Sequence, residues 1–294
     1  MNTPRYYVPA RSHWPIVGAV AVFLTIFSIA RAIQESSAGT VSGITYITTA
    51  MASVLMLWML FGWFGEVIRE GLEGLNSDQL KRSFRISMGW FIFSEVMFFA
   101  GFFGALFYAR MLSVPWLGGE GEKGLANMLW QGFSAQWPLL QTPNPELFPG
   151  ATGTIAAWGL PFVNTVLLVV SSITLTFAHH RLRENHQQQT LVWLGLTLLL
   201  GFSFLAVQIY EYGHAMTDLG LTLNAGIYGS TFFLLTGFHG AHVTLGTIML
   251  LVMFFRVKKK HFTPNDHFGF EAAAWYWHFV DVVWLLLFTF VYVL

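Results

Sequence analysis

Hydrophobic and polar positions alternate along this chain in long blocks and not in short amphipathic stretches. Seven apolar blocks stand out, and most of them reach the roughly 20 residues that a helix needs to cross the hydrocarbon core of a membrane. Their approximate limits are 14–30, 44–65, 86–109, 155–178, 191–210, 227–255 and 272–294. The pattern predicts an all-α, polytopic membrane protein of seven transmembrane helices, with residues 1–294 forming a single membrane domain.

The ends of two blocks leave room for other interpretations. The first block is the shortest and follows Arg5 and Arg11, so a cleaved signal peptide is an alternative to a retained helix. A retained helix is favoured because six further spans follow it. The long connection before the fourth block is rich in Pro and Gly, and Trp130 and Trp137 within it suggest a short helix resting at the outer interface.

Composition supports the membrane assignment and excludes several kinds of site. The chain is 55% hydrophobic and only 10% charged, whereas soluble domains are about a quarter charged. Cysteine is absent, which excludes thiolate metal sites and disulfides. Lys plus Arg and Asp plus Glu both number 15, so net charge indicates no nucleic-acid partner.

The distribution of basic residues predicts the orientation. With the N-terminus in the cytoplasm, the inner segments carry 12 of the 15 basic residues and leave only Arg31, Arg110 and Lys123 outside. Basic residues accumulate on the cytoplasmic side of membrane proteins. The sequence therefore predicts a cytoplasmic N-terminus and a periplasmic C-terminus, with VKKKHFTPND as a charged inner loop facing anionic lipid.

Five ionisable residues lie within the apolar blocks, where each one needs a reason because a charged group near the bilayer centre is costly. Glu95 lies about nine residues, or about 14 Å, from the predicted inner end of its helix. Asp281 and His278 lie on the last helix, and His239 and His242 share one face of the sixth. We expect these five side chains to face protein and to form a buried polar layer.

The residue types alone leave several roles open for this layer. His239 and His242 could ligate a metal or haem, although no matched histidine pair stands on another helix. Glu211 and His214 supply one Glu-x-x-His motif of a di-iron site, which requires two such motifs and two further glutamates. A proton relay and an interhelical hydrogen-bond layer that fixes packing are the other two interpretations, and the last of these is favoured.

Five segments resemble subunit III of cytochrome c oxidase, the haem-copper oxidase of respiratory chains. In chain order they are VIREG, SEVMFFAGFF, FVNTVLLVVSSITLTFAHH, IYGSTFFLLTGFHGAHV and HFGFEAAAWYWHFVDVVW. The resemblance implies a non-catalytic subunit of the oxidase that carries no redox centre. Haem and copper would lie in the partner subunits I and II. The long outer loop favours a bacterial source and therefore the bacterial inner membrane.

The resemblance also implies an architecture and a role. Seven helices would form groups of two and five, splayed into a V whose cleft holds phospholipid. The subunit would flank subunit I, stabilise the redox core during turnover and support proton uptake, and the cleft is a proposed entry route for oxygen. By position, Arg69, Glu70 and Arg256 match lipid-headgroup residues, and Glu95 matches a buried membrane glutamate of the family.

Other assignments stay open at the level of sequence. Related third subunits occur in quinol oxidases and accompany some nitric oxide reductases. A stand-alone proton-coupled transporter is an alternative from another class, and it would predict broken helices and a polar central cavity.

Overall fold

The computed structural model describes residues 12–121 and 124–294, and within them it contains helices and no named strand. Arg5, Arg11 and Lys123, which entered the orientation argument, lie outside the described residues. Seven helices in the described part are long and apolar enough to cross a membrane, as the block pattern predicted. They are α1 (Trp14–Ser37), α2 (Gly43–Leu72), α3 (Asp78–Tyr108), α4 (Leu160–Arg183), α5 (Gln187–Asp218), α6 (Gly226–Lys258) and α7 (Phe268–Leu287).

Two of these helices continue past their α-helical ends. A π-helical segment, Ala109–Ser113, and one α-helical turn, Val114–Leu117, extend α3. A second π-helical segment, Phe288–Val293, extends α7. The third and seventh spans are therefore longer than their α-helical parts alone.

The chain divides into two compact units, one up to Phe84 and one from Arg85 onward. The first unit contains α1 and α2, and the second contains most of α3 together with α4 to α7. A division of helices into two and five was expected from the resemblance. The lipid-filled cleft between the two groups stays a prediction.

The first unit is held by one tight helix contact and by one capped turn. The indole of Trp14 packs onto Gly62, where an added Cβ would lie 1.9 Å from the ring, and its Nε1 donates to Glu66 Oε2 at 2.6 Å. At the other end, Glu35 accepts hydrogen bonds from the Ser42 backbone at 2.7 Å and from Thr45 Oγ1 at 2.8 Å. These bonds fix the turn between α1 and α2.

The second unit has its core along α7, because that helix packs against both α4 and α6. Trp277 and Trp284 are fully buried. Trp277 Nε1 donates to Ser171 Oγ at 2.9 Å, and Trp284 Nε1 donates to Thr165 Oγ1 at 3.0 Å. Each indole thus places its apolar body in the core while a hydroxyl on α4 satisfies its only donor.

The fourth helix begins at Leu160, and Pro161 lies in its first turn. Proline there produces no kink, since the first turn has no intrahelical bond for it to lose. The prediction of a short helix in the connection before it was wrong. Around Trp130 the connection contains only the short 3-10 helix Gly124–Met128, followed by turns.

Candidate functional site

Glu95 and His242 are the two members of the predicted layer that touch. Glu95 stands on α3, and its Oε2 lies 2.8 Å from His242 Nε2 on α6. Both side chains are mostly buried, with exposed fractions of 21% for Glu95 and 15% for His242. The pair joins two helices that are far apart in sequence.

The other ring nitrogen of His242 limits where the protons in this pair can be. His242 Nδ1 lies 2.6 Å from the Phe238 carbonyl oxygen. A carbonyl only accepts, so Nδ1 carries a hydrogen. If the imidazole is neutral, Nε2 must accept, and the carboxyl of Glu95 must be the protonated donor. If Nε2 also carries a hydrogen, the pair is an imidazolium with a carboxylate. In both forms Glu95 and His242 share one proton and are neutral together.

Aromatic rings surround this pair. The ring of Phe99 lies 4.9 Å from that of His242, and those of Phe98 and Tyr276 lie 5.7 and 6.4 Å away. The Tyr276 hydroxyl has no hydrogen-bond partner within the described part of the chain. These neighbours supply little solvation for charge, so the hydrogen bond to each other is the main polar contact of the two side chains across the helices.

His239 is fully buried one turn away and does not reach Glu95. Its Nε2 donates to the Val280 carbonyl oxygen on α7 at 3.1 Å. The imidazole packs between the rings of Phe204 and Trp284, at centroid distances of 5.8 and 5.1 Å. His239 therefore ties α6 to α7 and acts separately from the Glu95–His242 pair.

His278 and Asp281 face α4. The His278 Nε2 atom lies 3.5 Å from Thr176 Oγ1. Asp281 lies against Ser172, and its Oδ1 has no hydrogen-bond partner among the described residues. The five predicted residues are thus buried or half-buried as expected, but they form separate contacts across three helix pairs.

Glu271 lies on α7 before His278 and Asp281, and the sequence did not identify its partner. Arg85 on α3 donates to Glu271 Oε2 from Nε at 3.2 Å and from Nη2 at 3.1 Å. Glu271 lies in the first turn of α7, where the helix dipole also favours an anion. The ion pair fastens the beginning of α3 to the beginning of α7.

The sequence also did not identify Glu211 as a buried carboxylate that contacts another helix. Glu211 on α5 is fully buried and accepts a hydrogen bond from the Tyr292 hydroxyl at 2.6 Å. Gln208 lies one turn away on α5, and its Oε1 is 3.5 Å from Asn164 Nδ2 on α4. The signal was an acid directly after an apolar block, at a position that often marks a contact between helices. His214 pairs with Asp218 at 2.6 Å and not with Glu211.

The metal interpretations find no support in this geometry. Among residues 12–121 and 124–294, no group of three or more His, Asp or Glu side chains is arranged to hold a metal ion. His239 and His242 bond to Val280 and Glu95 respectively, on different neighbouring helices.

The predicted lipid residues stand in different surroundings. The side chain of Arg69 on α2 is 67% exposed, with the carboxylates of Glu66 and Glu73 at 3.6 and 3.9 Å. Arg256 on α6 is half-buried. Its guanidinium lies 4.3 Å from the Phe262 ring centroid, and an added Cβ on Gly269 would lie 2.7 Å from its Nη1. Glu70, the third predicted lipid residue, also takes part in an interaction within the chain.

Charged loop residues gather beside Arg256 and at the end of α4. Burial lowers the pKa of His261, and the nearby Arg256 and Lys259 lower it further. A hydrogen bond from Arg181 holds the pKa of Glu184 below its ordinary value. At neutral pH the histidine is therefore uncharged and the glutamate ionised.

Comparison with known proteins gives one family over nearly the whole chain. The family model of cytochrome c oxidase subunit III matches residues 4–294. Cytochrome c oxidase subunit 3 of Gadus morhua is 39% identical over 290 residues, covering 98% of this chain and 96% of the relative. That of Oncorhynchus mykiss is 38% identical over 288 residues, with the same coverage. A probable cytochrome c oxidase subunit 3 of Rickettsia conorii is 36% identical over 299 residues, covering 98% of this chain and 93% of the relative.

Proposed function

Because this chain belongs to the cytochrome c oxidase subunit III family, we propose that it holds the redox core of its oxidase together without carrying a redox centre itself. The chain is part of the oxidase complex and a multi-pass membrane protein. The relatives are subunits of cytochrome c oxidase, so the comparison does not favour assigning this chain to a quinol oxidase, a nitric oxide reductase or a transporter.

One observation carries this proposal: the ionisable groups inside the second unit are used to join helices. Glu95 pairs with His242, His239 with Val280, and Glu211 with Tyr292. Each contact links two helices within the apolar region, where interhelical hydrogen bonds add about 0.6–2 kcal/mol each. Such contacts hold the helices of the second unit in fixed positions relative to each other. Haem and copper would lie in subunits I and II, with subunit I as the main contact.

Phospholipid retention is the second part of the proposal. Arg69 and Arg256 stand in the last turns of α2 and α6, and arginine binds phosphate bidentately. Arg69 is well exposed. Arg256 is stacked on Phe262, an arrangement that leaves the edge of the guanidinium as the direction of approach for an anion. Glu70 would bind the lipid headgroup through a donor such as an ammonium or hydroxyl group.

The proposal is tested by purifying the chain from native membranes with an affinity tag. We expect subunits I and II to copurify in equal amounts and the complex to show haem absorption and bound copper. The chain purified alone should show neither. A haem that stays with the isolated chain, or a complex that lacks a haem-containing partner, would overturn the proposal.

Proton exchange is a second candidate function, and the contact between Glu95 and His242 is the observation that supports it. A carboxyl oxygen and an imidazole nitrogen 2.8 Å apart can pass a proton from one side chain to the other. Replacing Glu95 by Gln separates this function from a structural one, because glutamine keeps the hydrogen bond and cannot release a proton.

A further inference from the structure

An apolar groove of about 740 Å³ runs between α3 and α7 on the surface of the second unit. Phe99, Leu106 and Val283 line it and are buried. Val282 and Leu286 also line it and are largely exposed. The groove lies along the third and seventh membrane-spanning segments, so its occupant comes from lipid or from a partner subunit.

A single cation, Arg110, lies among the lining residues at one end of this groove. It is partly buried, and no carboxylate of the described chain pairs with it. The other thirteen lining residues are apolar. A guanidinium in such surroundings is stabilised by an anion that reaches it from the groove.

Both walls of the groove change their helical form at the Arg110 end. Arg110 and Met111 belong to the π-helical segment that extends α3, and Phe290 belongs to the one that extends α7. π-helical turns are rare and occur frequently at functional sites. Here two of them flank the same opening.

The length of the groove matches one acyl chain. Val96 and Arg110 mark its two ends along α3, which corresponds to about 21 Å at 1.5 Å per residue. One leaflet contributes about 15 Å of hydrocarbon, which leaves the remainder for the glycerol and phosphate.

We propose that the groove binds one anionic phospholipid, with its phosphate on the Arg110 guanidinium and one acyl chain between α3 and α7. The site differs from the one proposed for Arg256, which lies at the opposite end of the second unit. The acyl chain ends beside Phe99, whose ring lies 4.9 Å from His242. The bound lipid therefore covers the Glu95–His242 pair and keeps water from it on this side.

The test uses the purified oxidase complex in bilayers that contain spin-labelled phosphatidylglycerol or phosphatidylcholine. The measured quantity is the number of motionally restricted lipids per complex, together with subunit content. Arg110→Gln removes the cation, and Ala100→Trp fills the groove. Ala105→Trp is the matched control, because Ala105 is an equally exposed alanine of α3 outside the groove.

We expect Arg110→Gln to weaken retention of one phosphatidylglycerol about tenfold, as loss of a charge-assisted hydrogen bond does. Arg110→Lys should keep most of that retention. Ala100→Trp should remove one restricted lipid, while Ala105→Trp and the phosphatidylcholine counts stay at wild-type values. Unchanged phosphatidylglycerol counts in both Arg110→Gln and Ala100→Trp would overturn the proposal. So would loss of a partner subunit from Ala100→Trp with the lipid count unchanged, because the groove would then be a protein interface.

Discussion

At the residue scale, Glu95 and His242 form a hydrogen bond in apolar surroundings. His242 Nδ1 is committed to the Phe238 carbonyl, so a neutral His242 can only accept at Nε2. Any replacement for Glu95 that donates to Nε2 preserves the structure. Only an ionisable replacement preserves the proton.

Glu95→Gln and Glu95→Ala separate structure from proton transfer. The glutamine amide can donate to His242 Nε2, so we expect Glu95→Gln to assemble normally, with nearly full turnover and pumping. Glu95→Ala leaves His242 Nε2 unpaired, which destabilises by about 1–3 kcal/mol and should loosen the subunit from the complex. The measurements are subunit content and protons pumped per electron. Loss of pumping in Glu95→Gln with assembly intact would assign the pair to proton transfer.

Replacing Arg69 and Arg256 by Ala tests whether these two arginines retain phospholipid. The double variant Arg69→Ala, Arg256→Ala should lower the phospholipid content of the purified complex and shorten its active lifetime, with initial turnover close to normal. Arg183→Ala is the control, since it removes an exposed arginine from the last turn of α4. Equal phospholipid contents in wild type, control and double variant would contradict the lipid role.

At the element scale, close packing around Trp277 joins α4, α5, α6 and α7. An added Cβ on Gly201 of α5 would lie 2.9 Å from the Trp277 ring, and one on Gly246 of α6 would lie 3.0 Å from it. Ser171 of α4 accepts the indole hydrogen bond. Small residues at these two positions allow the helices to approach closely around one large ring.

Gly201→Ala should therefore destabilise the second unit, by about 1–3 kcal/mol, because the added methyl group overpacks a filled core. Gly213→Ala is a matched control on the same helix, where an added Cβ meets nothing within 4 Å. Both variants gain the same helix propensity, so their difference reports the contact with Trp277. Thermal dissociation of the purified complex measures it, and equal midpoints for the two variants would refute the packing argument.

The sequence predicted helices well because each block of apolar residues is long, and it predicted their partners poorly. Length and hydropathy identify a span, and α3 begins at Asp78, eight residues before the apolar block, because charged residues also continue a helix outside lipid. Partners depend on how helices rotate against each other. The angular positions of Glu271, His278 and Asp281 on α7 did not reveal their partners. In the structure Glu271 pairs with Arg85 on α3, whereas His278 and Asp281 contact α4.

At the scale of the whole molecule, most of the surface of the spans is apolar, and basic residues collect at one end of the second unit. Arg85 near the beginning of α3, Arg181 and Arg183 at the end of α4, and Arg256 and Lys258 at the end of α6 lie on this end. Under the positive-inside rule this end is cytoplasmic.

Introduced cysteines test that orientation directly, because the chain has none of its own. Lys259→Cys lies in the loop after α6, and Glu146→Cys lies in the long connection before α4. With an impermeant thiol reagent on intact cells, we expect this chain to be labelled at position 146 and not at 259. Inverted vesicles should give the opposite pattern, and labelling at position 259 in intact cells would reverse the predicted topology.

If this subunit stabilises a redox core that it does not help to form, its removal should leave the redox centres in place and shorten the active life of the oxidase. Purified oxidase should be stripped of this chain alone, and its haem content, copper content and activity over time should then be compared with those of the intact complex. We expect unchanged haem and copper, initial turnover close to normal, and activity that decays several times faster during turnover. Loss of haem or copper with the chain, or abolished initial turnover, would contradict this role.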